Sequence, residues 1–325
     1  MARADLLVNL VKAGIAGDTQ GARTVAEAII AEERGKQHTV LAERLDQVVR
    51  HGMRQRPPGQ TAERHPAKEL LYDLVPERRI EDLILPKTAE RACRQLITEQ
   101  QKASQLRAQG LSPRHRVLLV GPPGNGKTSL AESLAEALAV PFLVVRYDAI
   151  VASYLGETAT RLRRVFEYAR TIPCVLFFDE FDAVGKERGD THETGEIKRV
   201  VASLLMQMDD LPSSTVIVAA SNHPELLDRA TWRRFQIRVT LPAPTAAALE
   251  AYLARFLSSL SAPAGISARA LVKKIGLVSY AEAEEFCLDV RRQLVLEGET
   301  ATVKGVIADV VPVWQERQQA IEGRG

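Results

Sequence analysis

The residues best suited to chemistry form a glycine-rich loop that follows a short apolar run. Residues 121–128 read Gly-Pro-Pro-Gly-Asn-Gly-Lys-Thr and come directly after the run Arg-Val-Leu-Leu-Val at 116–120. This is the spacing GxxxxGK[ST], in which backbone N–H groups surround a polyphosphate, the lysine reaches the β- and γ-phosphates and the hydroxyl holds Mg²⁺. The helix predicted next, Ser129–Ala139, directs its positive end at the same anion. The alternative, a glycine-rich turn that happens to precede Lys-Thr, fits this strand–loop–helix setting poorly. The predicted loop contacts to the nucleotide are Gly121, Pro122, Pro123, Gly124, Asn125, Gly126, Lys127, Thr128 and Ser129.

Two carboxylates end a second apolar run, Cys174–Phe178. A strand that is apolar on both faces is typical of the centre of a parallel sheet. Open α/β sheets bind ligands at the carboxyl ends of such strands. Asp179 is therefore expected to join Thr128 as an Mg²⁺ ligand, and Glu180 is expected to polarise the water that attacks the γ-phosphate. The alternative is that the two acids merely cap a strand, but the presence of Glu180 favours turnover over nucleotide binding alone.

The composition limits the classes of protein that need to be considered. The 325 residues, of which 46% are hydrophobic, suffice for two or three modest domains. The 43 basic and 41 acidic residues give a net charge of +2, so no bulk charge calls for a nucleic acid partner. The three cysteines lack metal-ligand spacing and predict buried thiols in a reducing compartment. No apolar run approaches membrane-spanning length, so we expect a cytoplasmic protein that does not associate with membranes.

Patterns along the chain divide it into four parts. Residues 1–50 show apolar stripes at helical spacing and predict a small helical bundle that binds a substrate or partner. Residues 51–69 are rich in Pro, Gly and Arg and predict a solvated linker, although the basic charges could contact an acidic partner. Residues 70–242 alternate helix and strand, which is typical of an α/β domain with helices on both faces of a parallel sheet. Residues 243–325 carry only helical patterns.

The individual elements follow from the same periodicities. The predicted strands are Val117–Val120, Phe142–Val145, Val175–Phe178, Val216–Ala220 and Ile237–Leu241. The predicted helices are Ala89–Ala108, Ser129–Ala139, Thr158–Arg170, Glu196–Met208, Ala246–Ser259, Ala268–Ile275, Ala281–Glu297 and Val303–Ala320.

From about Leu70 to Gly298 the chain resembles the AAA+ ATPases, and within them the group that remodels proteins. The resemblance implies a P-loop parallel sheet sandwiched by helices, a C-terminal helical lid, and hydrolysis of ATP with Mg²⁺. Residues 216–222 resemble the family strand that ends in an asparagine beside the hydrolytic carboxylates. This similarity implies that Asn222 helps to position the attacking water.

Residues 227–235 are similar to the family segment that holds the arginine fingers, which implies this role for Arg233 and Arg234. Such arginines neutralise charge on the nucleotide of the neighbouring subunit. The resemblance therefore implies a homo-oligomeric ring, usually a hexamer. In the family the two arginines are commonly separated by Pro-Gly, whereas here they are adjacent. Which of them reaches the phosphate stays open, and a pair of surface arginines is the alternative.

Three further segments carry the resemblance. Residues 153–157 resemble the first pore loop, which implies that Tyr154, Leu155 and Gly156 face a central channel; the ordinary alternative is a Tyr154 packed in the core. Residues 278–284 look like the start of the third lid helix, which implies that 279–281 line the nucleotide. Residues 82–85 lie where family members contact adenine, although the usual glycine is missing.

The function that the resemblance implies is a motor that remodels, unfolds or disassembles protein substrates through a central pore. Two alternatives stay open. An AAA+ ATPase that loads a helicase or transposase shares every nucleotide motif, but it would be more basic and would not need Tyr-Leu-Gly in the pore. A nucleotide-switched scaffold could instead regulate a partner such as a peptidase. The chain has no His-Glu-x-x-His sequence, so no fused zinc protease is expected, and a separately encoded peptidase stays open as a partner.

Overall fold

The computed structural model describes residues 66–150, 155–182, 203–260, 265–298 and 302–322, together with residues 6, 25–26 and 28–30. The chain divides into two compact units, residues 1–64 and 65–325, and the second unit contains nearly all of the described residues. The helical bundle predicted for 1–50 and most of the linker predicted for 51–69 lie outside the described residues. The last part of that linker is described, and Pro66–Leu70 forms a 3₁₀ helix.

A six-stranded sheet organises the second unit, with the strand order β1-β3-β4-β5-β2-β6. The strands are β1 (Leu71–Leu74), β2 (Arg116–Val120), β3 (Phe142–Val145), β4 (Cys174–Phe178), β5 (Thr215–Ser221) and β6 (Ile237–Thr240). Strands β2 to β6 pair in parallel, whereas β1 pairs antiparallel with β3. All residues of β4 and β5 are buried, as expected for central strands covered on both faces.

The α/β fold predicted from the sequence is confirmed, with one correction to the sheet. The prediction of a parallel sheet omitted the antiparallel edge strand β1. Three of the four β1 residues are exposed, so this strand lacks the continuous apolar run that marks the others. An edge strand with one buried residue leaves too little periodicity in the sequence to be recognised.

The helices flank the sheet and then continue beyond it. They are α1 (Lys87–Gln101), α2 (Ala103–Ala108), α3 (Lys127–Leu138), α4 (Tyr147–Ile150), α5 (Leu155–Ala169), α6 (Arg229–Arg234), α7 (Ala246–Ser258), α8 (Ala268–Ile275), α9 (Tyr280–Glu297) and α10 (Val303–Glu322). Residues 203–209 are also helical, and the rest of the helix predicted over 196–208 lies outside the described residues. The single helix predicted over 89–108 is broken at Lys102, where the backbone has φ −100° and ψ 23°. The first piece buries a core face, whereas the second buries none of its residues.

Three apolar clusters hold these elements together. One cluster packs α5 against one side of the sheet through residues such as Val165 and Phe166. A second packs α1 and α3 against the other side, with Leu130 and Leu134 fully buried. The third cluster contains residues of the four helices α7, α8, α9 and α10. Within it, the ring of Phe286 on α9 meets the ring of Trp314 on α10 edge to face, with centroids 5.7 Å apart. Among the described residues, no helix has the length and apolar character needed to cross a bilayer.

Three of the C-terminal helices begin at a hydroxyl residue that caps the first turn. Thr245 accepts a hydrogen bond from the Ala248 backbone N–H, at 3.2 Å, at the start of α7. Ser279 forms a reciprocal capping box with Glu282 at the start of α9. Such caps stabilise a helix by about 1 kcal/mol each. The cap on α9 therefore fixes where the first residues of this helix meet the loop 121–126.

Candidate active site

The glycine-rich loop follows β2, which lies between β5 and β6 in the sheet, and leads directly into α3. The Gly121 N–H donates to the Ser221 carbonyl at 3.3 Å, which ties the loop to the end of β5. A Cβ atom on Gly121 would lie 2.0 Å from the Leu241 carbonyl oxygen, so only glycine fits between β2 and the end of β6. Gly126, with φ 83°, turns the chain into the helix. The loop is thus held by its neighbours in a conformation that its glycines permit.

Lys127 is the first residue of α3, and its side chain folds back over the loop. Its ammonium group donates to the carbonyls of Gly121 and Pro122, at 2.7 and 2.9 Å. Burial lowers the pKa of Lys127, and the nearby carboxylates of Asp179 and Asp182 oppose this by raising it. The lysine therefore provides a localised positive charge at the loop, in reach of the position that the motif assigns to phosphates.

The hydroxyl of Thr128 and the carboxylate of Asp179 meet at the end of β4. Thr128 Oγ1 donates to Asp179 Oδ2 at 3.3 Å, and the Glu180 backbone N–H donates to Asp179 Oδ1 at 2.9 Å. Hydroxyl and carboxylate oxygens are the ligands that Mg²⁺ uses beside phosphate groups. The donor set therefore fits a magnesium ion shared by these two side chains and a bound triphosphate. Within the described ranges, no group of three or more His, Cys, Asp and Glu side chains could hold a metal ion by itself.

Glu180 follows Asp179 in a backbone conformation that non-glycine residues rarely adopt, with φ 43°. The turn is fixed on its far side, where the Phe181 N–H donates to the Ala220 carbonyl at 2.8 Å. Left-handed backbone at a non-glycine residue costs of order 1 kcal/mol or more and is concentrated at functional sites. The side chain of Glu180 is exposed and reaches the same cavity as Thr128.

A third carboxylate, which the sequence motifs did not indicate, positions Asn222. Asp182 is 4% exposed, and its Oδ1 accepts hydrogen bonds from the Ser221 hydroxyl at 3.0 Å and the Asn222 N–H at 3.2 Å. The side-chain oxygen of Asn222 is buried and has no hydrogen-bond partner among the described residues. A carboxylate three residues after Asp179 was the available signal, but its partner lies on another strand. The two strand ends are thus fixed to each other behind the site.

These residues line one cavity of about 410 Å³. The predicted site residues at its wall are Pro123, Gly124, Asn125, Gly126, Lys127, Thr128, Ser129, Asp179, Glu180 and Asn222. Residues 82–85 also line it, as do Tyr280 and Ala281 at the start of α9. Gly121 and Pro122 are not at the wall, although their carbonyls hold Lys127. Three lining residues were not predicted, namely Arg78, Tyr252 and Glu284.

The start of α9 contacts the glycine-rich loop directly. The Ala281 N–H donates to the Gly124 carbonyl at 2.9 Å. A Cβ atom on Gly124 would lie 2.9 Å from the Ser279 hydroxyl oxygen, so this approach also depends on glycine. The rings of Tyr252 and Tyr280 meet 5.7 Å apart at the cavity, and burial raises the pKa of Tyr252 to about 12. These neutral aromatic groups make one end of the cavity apolar, while the loop end is polar.

The predicted arginine pair lies away from this cavity. Arg233 is exposed, and Arg234 donates from Nε to Asp209 at 3.0 Å; neither arginine lines the cavity. Tyr154 lies outside the described residues. Leu155 and Gly156 begin α5, and nothing is described of their side chains.

Comparison with known proteins identifies the class to which this fold and site belong. The model of the family described as "ATPase family associated with various cellular activities (AAA)" matches residues 117–243. The chain is 37% identical over 303 residues to the uncharacterized AAA family ATPase y4kL of Sinorhizobium fredii, an alignment that covers 91% of this chain and 91% of that protein. The chain belongs to the AAA family, and it is an ATPase.

Other relatives match less than half of this chain. Identity to the ATP-dependent zinc metalloprotease FtsH 1 of Methylacidiphilum infernorum is 40% over 157 residues, which is 46% of this chain and 25% of that protein. Identity to the 26S proteasome regulatory subunit 10B of Dictyostelium discoideum is 43% over 145 residues, which is 42% of this chain and 37% of that protein. The chain thus spans well under half of the length of these two relatives.

Proposed function

We propose that this ATPase is a ring-forming motor that uses Mg²⁺ and the energy of ATP hydrolysis to remodel protein substrates. The observation that carries the hydrolytic part is the cavity in which Thr128 and Asp179 lie 3.3 Å apart, with Glu180 and Asn222 at the same wall. Two carboxylates and an amide at the carboxyl ends of the central strands β4 and β5 thus lie beside a hydroxyl in the first turn of α3, where the γ-phosphate would lie.

The roles of the residues in this proposal follow from their chemistry. Lys127 exchanges its two loop carbonyls for the β- and γ-phosphates. Thr128 and Asp179 would hold Mg²⁺, and the bound ion would neutralise charge on the phosphate oxygens. Glu180 accepts the proton of the water that attacks the γ-phosphorus, as the bond to the β-phosphate oxygen breaks and ADP and phosphate form. Asn222 orients that water, and Asp182 holds the Asn222 backbone in place.

The arginine pair is proposed to complete the site of a neighbouring subunit in a homo-oligomer, which we expect to be a hexamer. Arg234 is engaged by Asp209 of its own chain. Arg233 is exposed near the end of α6, and its side chain forms no hydrogen bond or ion pair with another described residue. This difference favours Arg233 as the residue that reaches the neighbour's γ-phosphate, where an arginine stabilises the developing charge.

A protein substrate is favoured over a nucleic acid by two observations. The relatives include a regulatory subunit of the proteasome and an ATP-dependent zinc metalloprotease, and the names of these two proteins refer to proteolysis. The net charge of +2 provides no basic excess for phosphate backbones. In this proposal Tyr154, Leu155 and Gly156 grip the substrate in the pore, residues 1–50 bind a substrate or partner, and residues 243–325 form the lid. A separately encoded peptidase is one such partner.

The hydrolytic assignment is tested by Glu180→Gln. This change retains the shape of the side chain but removes the base, so we expect ATP binding to persist and turnover to fall by about 10²–10⁴-fold. Binding is measured with a fluorescent ATP analogue and turnover by phosphate release. Glu316→Gln is the matched control, because Glu316 is exposed on α10 and does not line the cavity. Equal turnover by Glu180→Gln and the unmodified protein would contradict the assignment.

The substrate class is tested by Tyr154→Ala. An aromatic side chain offers a large contact area at little entropic cost, and it suits a grip on chains of any sequence. We expect basal ATPase activity to stay within a few-fold, and stimulation by an unfolded protein to be lost. Stimulation by single- or double-stranded DNA in place of protein would instead support a loader of nucleic acid enzymes. Unchanged unfolding of a tagged fluorescent protein by the variant would contradict the proposed grip of Tyr154 on the substrate.

A further inference from the structure

Arg78 lies in the segment between β1 and α1 and belongs to none of the motifs recognised in the sequence. Its guanidinium contacts two elements, α3 and α9, that both contribute residues to the cavity wall. Nη1 donates to the Ser129 hydroxyl of α3 at 3.2 Å, and Nε lies 3.6 Å from Glu132 of the same helix. Nη2 donates to Glu284 of α9 at 3.3 Å. Arg78 and Glu284 both line the cavity, although 206 positions separate them along the chain.

Arg78 and Glu284 are held by different elements, Arg78 by its contacts with α3 and Glu284 by its place in α9. The backbone N–H groups of Glu77 and Arg78 donate to Glu132 Oε1 at 3.0 and 3.2 Å, which anchors the origin of the arginine side chain to α3. Glu284 is carried by α9, together with the residues that contact the glycine-rich loop. The Arg78 and Glu284 side chains are each 45% exposed, so water screens their attraction and the pair can exchange readily.

The anchored guanidinium is within hydrogen-bond distance of Ser129, which directly follows the proposed Mg²⁺ ligand Thr128. The planar fork of arginine binds phosphate oxygens in a bidentate manner, and such charge-assisted bonds are stronger than neutral ones. We propose that Arg78 is a second cation of the nucleotide site, which releases Glu284 when a nucleotide is bound and turns to the phosphate oxygens. This inference rests on the proposed function, since it requires the nucleotide to occupy this cavity.

The proposal makes Glu284 a competitor of the nucleotide for one guanidinium. Such competition lowers the affinity for nucleotide, because free energy is needed to separate Arg78 from Glu284 before the arginine can bind phosphate. Removing the arginine and removing the carboxylate should therefore change the affinity in opposite directions. If the pair were only a structural strap, both changes would act in the same direction. A Glu284 that contacted the nucleotide itself would also give a loss when it is changed.

The test measures dissociation constants for a fluorescent ADP analogue by titration. Arg78→Ala is expected to weaken binding about tenfold or more, since a hydrogen bond to a charged group is lost. Glu284→Gln is expected to strengthen binding by a few-fold. In the double variant the gain from Glu284→Gln should disappear, because no guanidinium is left to be released.

Adjacent residues supply matched controls. Arg79 lies 3.8 Å from Glu136 and does not line the cavity, so Arg79→Ala should leave the dissociation constant unchanged. Glu285 pairs with Arg317 at 3.2 Å, away from the cavity, so Glu285→Gln should also have no effect. Lys127→Ala distinguishes a failure of the proposed nucleotide site from a failure of the role proposed for Arg78. If it binds as tightly as the unmodified protein, the proposed nucleotide site is wrong.

If Lys127→Ala loses binding while Arg78→Ala retains it, the role of Arg78 alone is overturned. Weaker binding by Glu284→Gln would overturn it as well, and this variant tests the proposal even if Arg78→Ala does not fold. Circular dichroism and thermal melting establish the fold of each variant. Arg78→Lys, which keeps the charge without the planar fork, is expected to show an intermediate affinity.

Discussion

At the scale of single residues, two adjacent arginines of α6 have different surroundings. Arg234 and Arg116 both form ion pairs with Asp209, so Arg234 belongs to a local network at the first residue of β2. Arg233, one position earlier, is exposed at the surface. Arg234 therefore contributes to the structure of its own chain, whereas Arg233 is free to contact another molecule.

This difference predicts how the two arginines respond to substitution. Arg233→Ala is expected to lower ATP turnover by about 10³-fold or more if it acts as the finger, with little effect on unfolding. Arg234→Ala is expected to lower the free energy of unfolding by about 0.5–1 kcal/mol, because it removes a partly exposed ion pair, and to lower turnover less. Steady-state turnover and urea denaturation of both variants provide the measurement. The opposite assignment would follow if Arg234→Ala showed the larger loss of turnover.

At the scale of the elements, the geometry of the glycine-rich loop depends on how closely β2 and β6 approach each other. The approach brings the Leu241 carbonyl to the position that a Gly121 side chain would occupy. The start of α9 makes a similarly close approach at Gly124. The shape of the loop after β2 thus depends on two elements that are distant from it in sequence, β6 and α9.

We expect Gly121→Ala to weaken nucleotide binding by about tenfold or more, because a Cβ atom 2.0 Å from the Leu241 oxygen must displace the loop. Gly110→Ala is the control: Gly110 also has a positive φ, of 72°, but a Cβ atom there would meet no atom within 4 Å. The control should lose about 1 kcal/mol of stability through its backbone conformation and should bind nucleotide normally. Nucleotide titration and urea denaturation distinguish the two effects. Equal affinities for both variants would show that the close approach is unimportant.

At the scale of the whole molecule, the reactivity of the three cysteines can measure how readily the sheet and the C-terminal helices unfold locally. All three are free and buried, and burial raises the pKa of each thiol to about 12. Because the reactive thiolate is scarce far below this pKa, a thiol reagent at neutral pH should react only after local or global opening. Cys93 and Cys174 belong to the clusters on the two sides of the sheet, whereas Cys287 belongs to the C-terminal cluster.

This arrangement tests the proposal that residues 243–325 form a lid with its own stability. We expect Cys287 to be labelled faster than Cys93 and Cys174, and ATP to slow its labelling because α9 contacts the glycine-rich loop. Mass spectrometry of labelled peptides measures the three rates. Equal rates for all three cysteines would indicate that the sheet and the C-terminal helices open as one cooperative unit.

The proposed ring predicts that active sites are shared between subunits. Turnover per subunit should rise with protein concentration, since a site lacks its arginine until a neighbour binds. Mixing Arg233→Ala/Arg234→Ala subunits with Lys127→Ala subunits should restore part of the activity at interfaces where an intact site meets intact arginines. Phosphate release from the mixture, compared with each variant alone, provides the measurement. Full turnover by a dilute monomer would contradict a shared site.

The sequence by itself determined the elements and the chemistry that they carry. The buried strands β2, β4 and β5 are continuous apolar runs, and the helix starts of α7 and α9 carry hydroxyl caps, so both are encoded in neighbouring residues. The glycine-rich loop could be read for the same reason, because its spacing lies within eight residues. Local patterns of this kind predicted the α/β fold and the ATPase class.

The tertiary structure decided which distant residues meet. The hydrogen bonds from Ser221 and Asn222 to Asp182, and the contact of Arg78 with Glu284, join residues on separate elements. The edge strand β1 likewise exists through its pairing with β3, since its own residues are mostly exposed. No spacing or periodicity encodes such pairs, because they depend on the order of strands and on the packing of helices across the sheet. The sequence therefore indicated the phosphate loop, its carboxylates and the start of α9 at the nucleotide, whereas the support of the site by Asp182 and the contact of Arg78 with Glu284 emerged only from the folded chain.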